Sequence, residues 1–184
     1  MNEALESDAV VADTRTWLVK AVIGLNLCPF AKEVHEHERI RYCVSDAQSE
    51  KQLLVDLMRE LQDLHSADPA QCETTLLIHP YVLKEFLEYN AFLERADDAV
   101  AELGLEGVMQ IASFHPEYQF QDAASDAIEN YTNRSPYPML HLLRESSVEN
   151  AVTTHPDTTA IYRRNIATLR KLGLDGWRKL FAVE

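Results

Sequence analysis

Glycine is scarce, with five in 184 residues, and none falls into a Walker or Rossmann loop. That argues against a nucleotide held by either of those phosphate cradles. A G-x-S-x-G nucleophile elbow is also missing. Cysteine is limited to Cys28, Cys43 and Cys72, too few and odd in number for a disulfide framework, so a reducing compartment is expected. Neither Cys43 nor Cys72 has a partner at metal-ligand spacing. Basic residues are outnumbered, 17 against 30 acidic ones for a net charge of −13, which speaks against general affinity for nucleic acid or anionic membrane. Locally the sign reverses: six Lys/Arg and three Asp/Glu follow from Asp157 onward, a pattern expected of a solvated helix face. No apolar run approaches the ~18 residues of a membrane span. The start, MNEALESDAVVAD, has neither the basic region nor the apolar core of a secretory signal. A soluble cytoplasmic protein is the expectation. At 46 % hydrophobic the chain can bury one core, so a single domain over 1–184 is expected, with 1–12 frayed.

What is present alternates between two periodicities. Thr14 to Leu27 reads as an amphipathic helix that stops at Cys28-Pro29, because the residue before proline is driven out of the α region. A charged connection, Lys32 to Glu38, follows; its Glu33-Val34-His35-Glu36-His37-Glu38 run reads as solvated loop. Ile40, Tyr42 and Val44 alternate with polar neighbours as in a strand. Ser49 and Gln52 form a capping box ahead of the leucine stripe Leu53, Leu57, Leu61, Leu64. Thr74 to Ile78 is a short apolar strand, Phe86 to Leu103 a third helix closed by Gly104, and Met109 to Phe114 another strand. The order predicts an α/β fold: a small, mostly parallel sheet of about three strands covered by helices, with a helical C-terminal third. The alternative is a mixed, ferredoxin-like sheet with a further strand near Glu117 to Gln121.

Polar side chains concentrate between Met109 and Glu145. Both His79 and His115 end a strand and precede proline, and in a parallel sheet both lie on the carboxyl edge where α/β proteins bind ligands. Ser135-Pro136 has the form of a helix start, N-cap then first position. With Asn133 and Arg134 beside it, and Arg144 and His79 within reach of the same edge, that start is a candidate site for a phosphate or carboxylate. On such a helix His141 and Glu145 share a face. Together with His115 they would make a two-histidine, one-carboxylate site for a divalent metal. Without metal, His115 or His141 is the candidate proton carrier, oriented by Glu145 or Asp126. Cys28 is a candidate nucleophile if a cation lowers its pKa, and otherwise a small buried hydrophobe. The Cys-Pro-Phe tripeptide occurs in some glutathione-transferase-like proteins, where it follows a strand and opens a helix. Here it follows a helix.

Six segments carry a family resemblance: Leu25 to Ala31 (LNLCPFA), Glu73 to Leu77 (ETTLL), Gln110 to Pro116 (QIASFHP), Thr132 to Pro138 (TNRSPYP), His141 to Glu145 (HLLRE), and Arg164 to Ile166 (RNI) followed by Leu172-Gly173. The chain resembles the bacterial family catalogued as domain of unknown function 1415. The resemblance implies a single-domain bacterial protein and no particular activity. From the residues themselves, the expectation is a small-molecule enzyme acting on an anionic substrate at a His/Arg/Glu pocket. The alternative is a binding module for an anionic metabolite or acidic peptide, and a third reading is a polar core whose groups satisfy one another. Cofactor and oligomeric state stay open.

Overall fold

The computed structural model describes residues 6–154 and 158–182. Helix α1, Ser7–Trp17, opens the described chain. Residues 7–12, expected to fray, are therefore helical, with Val10 fully buried; residues 1–5 lie outside the described residues. Val10, Thr14 and Trp17 recur at helical spacing and give α1 its buried face. The helix widens into a π turn over Leu18–Ile23, with bonds from Gly24 N–H to the Val19 carbonyl and from Leu27 N–H to the Val22 carbonyl. Gly24 is obligatory there, since a Cβ would stand 2.3 Å from the Lys20 carbonyl oxygen.

The segment expected to be a charged connection is in part a short helix, α2, Ala31–Glu36. The leucine stripe lies on α3, Glu50–Ser66, with Ser49 as N-cap accepting the Gln52 N–H. Helix α4 spans Phe86–Glu102, α5 Glu145–Thr154 and α6 Thr158–Leu180.

Four strands form one mixed sheet: β1 Ile40–Val44, β2 Thr74–Ile78, β3 Met109–Phe114 and β4 Met139–Arg144, in the order β1-β2-β4-β3. Strands β1 and β2 are parallel, and β4 runs antiparallel to both its neighbours. The α/β class is as expected, but the sheet has one strand more and only one parallel pair. The extra strand is not at Glu117 to Gln121, which is turn and irregular chain. It is the segment expected to be a helix after Ser135-Pro136. Met139, Leu140 and Leu142 are all fully buried, because β4 is a central strand with helices packed on both faces. The helix propensity of Met and Leu, a weak preference, yields to two flanking ladders. Ser135 caps no helix and donates its hydroxyl proton to the Tyr137 carbonyl.

Each sheet face has its own core. Leu53, Leu57, Leu61 and Leu64 of α3 and Tyr89, Phe92 and Ala96 of α4 pack on Leu77, Leu140 and Leu142. Each buried leucine contributes roughly 1.5–3 kcal/mol. The opposite face, Leu76, Ile78 and Met139, receives Val10, Trp17 and Val22 from the N-terminal helical run and Leu169 and Trp177 from α6. No helix among the described residues is long and apolar enough to cross a membrane.

Candidate functional site

Because β4 is antiparallel to β2 and to β3, those two strands share a direction without touching, and Ile78 and Phe114 both stand opposite Met139. His79 and His115 consequently emerge on one edge of the sheet, as the topology argument requires. Both are fully buried, and Tyr89 stands between them, 5.8 Å from the His79 ring and 5.0 Å from the His115 ring. The Glu117 N–H donates to His115 Nδ1 at 3.0 Å, so His115 Nε2 carries the proton and donates to the Leu83 carbonyl at 3.1 Å. His79 donates from Nδ1 to the Val82 carbonyl at 3.0 Å, and its Nε2 has no partner among the described residues. Two imidazoles thus brace a turn in which Leu83 holds a left-handed φ of 56°. Burial pushes the His79 pKa down to about 4 and lowers that of His115 as well.

His141 points elsewhere. It pairs with Ala112 and Leu76 in mid-sheet. The Thr74 hydroxyl donates to the Leu142 carbonyl, so it accepts from His141 Nε2 at 2.8 Å. Burial holds this imidazole down to about 4. Glu145 lies past the far end of β4, where its N–H donates to the Val108 carbonyl, a strand length of roughly 16 Å from the histidine edge. The shared helix face that would have joined His141 to Glu145 does not exist, so His115, His141 and Glu145 form no metal triad. No group of three or more His, Cys, Asp or Glu among the described residues could hold a metal ion. Asp126 is exposed and is hydrogen-bonded to no histidine among the described residues. Arg144 is buried away from the site and donates through Nη2 to the carbonyls of Leu64, Ala67 and Cys72, closing the C-terminal end of α3.

The connection between β3 and β4 is tied down from within. Buried Asn130 donates to the Ala124 carbonyl and accepts the Phe120 N–H. Asn133 donates to the Ser113 carbonyl while its own carbonyl accepts the His115 N–H. Arg134 donates from Nε to the Tyr118 carbonyl at 3.1 Å and from Nη2 to the Ser125 carbonyl at 2.7 Å, with its guanidinium 4.6 Å over the Tyr131 ring. No carboxylate among the described residues pairs with it. Arg134 and Ser135 face a cavity of about 1100 Å³ between this connection, α1 with its π turn, and the end of α6. Lys20 and Lys179 line the same cavity, and so does Asp13, whose Oδ2 accepts the Tyr137 hydroxyl proton at 2.6 Å. Burial, then this contact, push the Tyr137 pKa up to about 12.

Of the sequence candidates, the structure brings Arg134 and Ser135 to the cavity, and His115 stands next in the chain to its lining residue Pro116. It does not bring Asn133, His79, His141, Glu145, Arg144 or Asp126 there. Cys28 is partly buried against the sheet face that carries α1 and α6. Its Cys-Pro-Phe segment does precede a helix, the six-residue α2, with no cation among the described residues bonded to the thiol. Asp13, Lys20, Trp17 and Lys179 were not legible as site residues. The only sequence signal was the positive excess of the last segment.

No curated protein and no solved structure matches the chain. A family described as "Protein of unknown function (DUF1415)" matches residues 9–179, and the chain belongs to that family.

Proposed function

We propose that the protein binds a small anionic molecule in the cavity between α1, the 115–138 connection and the end of α6. One observation carries this reading. In a chain of net charge −13, three cations, Lys20, Arg134 and Lys179, line one cavity, and none of them has an ion-pair partner among the described residues. The described lining sets these three cations against one carboxylate, Asp13, which is taken up by the Tyr137 hydroxyl. Arg134 is also held in place by two backbone carbonyls and the Tyr131 ring, so it pays little ordering entropy on binding. The π turn carrying Lys20 supports the reading, since such turns recur at functional sites. Catalysis here would need His115 to release one of its two backbone bonds, so binding is the reading taken. Three free thiols fit a cytoplasmic setting.

The test is calorimetric titration with inorganic phosphate, benzoate and phenyl phosphate, repeated on Arg134→Gln. Saturable binding of at least one anion, weakened about tenfold or more by the substitution, is expected. Binding of none, or binding indifferent to Arg134→Gln, defeats the proposal.

A further inference from the structure

The cavity's donor inventory narrows the ligand. The Ser135 hydroxyl donates to the Tyr137 carbonyl and the Thr16 hydroxyl to the Ala12 carbonyl, so neither proton is free for a ligand. Arg134 has spent its Nε–H and one Nη2 proton on backbone, leaving Nη1 and the second Nη2 proton. The charged donors left to a ligand are therefore the free Nη protons of Arg134 and the two ammonium groups of Lys20 and Lys179, beside the neutral donors of Trp17, Trp177 and Tyr131 in the same lining. Against the cations stands Asp13, the one carboxylate among the described lining residues, already accepting from Tyr137. The described lining residues carry a formal charge of +2. A single negative charge leaves that excess half compensated, whereas a dianion matches it.

The remaining wall is of another kind. Trp17, Trp177, Leu180, Phe181, Pro116 and Pro136 supply apolar surface, and a volume near 1100 Å³ exceeds what an inorganic ion fills. Ligand sites of this size combine apolar walls with a few placed polar groups. The two walls call for a ligand with two negative charges and a carbon body.

Resting on the anion-binding reading above, we infer that the cavity takes an organic dianion with an apolar body, of the phosphate monoester type. The charged end meets Arg134, Lys20 and Lys179, and the body lies along the Trp17 and Phe181 side.

Four probes separate the parts of this inference: phenyl phosphate, benzoate, inorganic phosphate and benzyl alcohol. Each is titrated calorimetrically into the full chain at about pH 8, where a phosphate monoester with a second pKa near 6 is a dianion. Phenyl phosphate is expected to bind at least about tenfold more tightly than benzoate or inorganic phosphate. Lys179→Gln is expected to shrink its margin over benzoate, because one unit of the charge excess is gone. Inorganic phosphate binding as well as phenyl phosphate would overturn the apolar body, and benzoate binding as well would overturn the dianion; anion binding survives both results. Benzyl alcohol matching phenyl phosphate, or no binding by any probe up to about 10 mM, would take down the anion-binding reading and this inference together.

Discussion

Tyr89 donates its phenolic proton to the Met139 carbonyl at 2.8 Å. The Tyr89 hydroxyl oxygen in turn accepts the Phe114 N–H at 3.0 Å, although Phe114 and Met139 are register partners in the β3/β4 ladder. One side chain from α4 thus completes the ladder where the two strands end, and fixes the edge from which His115 and the 115–138 connection depart. Tyr89→Phe leaves a buried carbonyl and a half-buried N–H without partners, at a cost of about 2–4 kcal/mol. Urea unfolding checks this; a loss below about 0.5 kcal/mol would mean that another donor takes over.

His79 makes stability depend on pH. Its ring is fully buried with Nε2 unpartnered among the described residues, so the protonated form is disfavoured in the folded state and its pKa falls from 6.5 to about 4. Above pH 6.5 the imidazole is neutral in both states and its full contribution is present. As pH falls toward 4 the unfolded chain takes up a proton that the folded chain refuses, and up to about 3 kcal/mol is lost. Urea midpoints at a series of pH values between these limits should drop steadily. His79→Asn keeps a donor for the Val82 carbonyl and should reduce the slope by the His79 share, with His141 and His115, also lowered by burial, supplying the remainder; an unchanged slope would assign the acid sensitivity to other groups.

These two residues also show what the sequence could and could not reveal. The strand ends at His79 and His115 were legible because a run of apolar residues stops at His-Pro, and α3 was legible because Ser49 and Gln52 cap a four-residue leucine period. Met139 to Arg144 was misread because a Ser-Pro pair is a good helix start in isolation and Leu-rich runs suit helix and buried strand alike. Only the ladders on both sides of β4 decide between them. That error carried the His141/Glu145 pairing with it, since residues four apart share a helix face but lie some 13 Å apart along a strand. The cavity was invisible for a different reason: Lys20, Arg134 and Lys179 come from three distant stretches that only the tertiary fold brings together.

Arg144 tests that correction. Its Nη2 reaches the Leu64 and Ala67 carbonyls at the end of α3 and the Cys72 carbonyl ahead of β2, and no carboxylate among the described residues pairs with it. Its charge is therefore balanced by the negative end of that helix. Arg144→Met keeps the apolar stem but removes the charged donor from all three carbonyls, leaving, among the described residues, only that of Leu64 its bond from the Ala67 N–H, and should cost about 2–4 kcal/mol in urea unfolding while leaving phenyl phosphate affinity at the wild-type value. A selective loss of affinity with normal stability would return Arg144 to the binding site.

Gly173 divides α6 into an anchored part and a cavity wall. Before it, Leu169 is fully buried, Asn165 donates to the Leu27 carbonyl, and Arg170 pairs with Glu129 at 2.7 Å. After it, Trp177, Lys179, Leu180 and Phe181 line the cavity. At Gly173 itself φ is 67° and ψ 173°, a conformation essentially confined to glycine. A Cβ there would touch nothing within 4 Å, so any effect of Gly173→Ala arises from the backbone and not from a clash. The variant has two courses. It can hold the kink at a cost of about 1–3 kcal/mol, or it can continue the helix and redirect everything from Leu174 onward. Alanine's helix propensity exceeds glycine's by about 1 kcal/mol, which favours the second course. Trp177 then leaves Tyr131, whose ring it meets at 5.0 Å, and Lys179 leaves the cavity. The expected result is near-normal urea stability, a shifted tryptophan emission and an affinity for phenyl phosphate reduced about tenfold or more. Wild-type emission together with wild-type affinity would show that the kink does not position the wall.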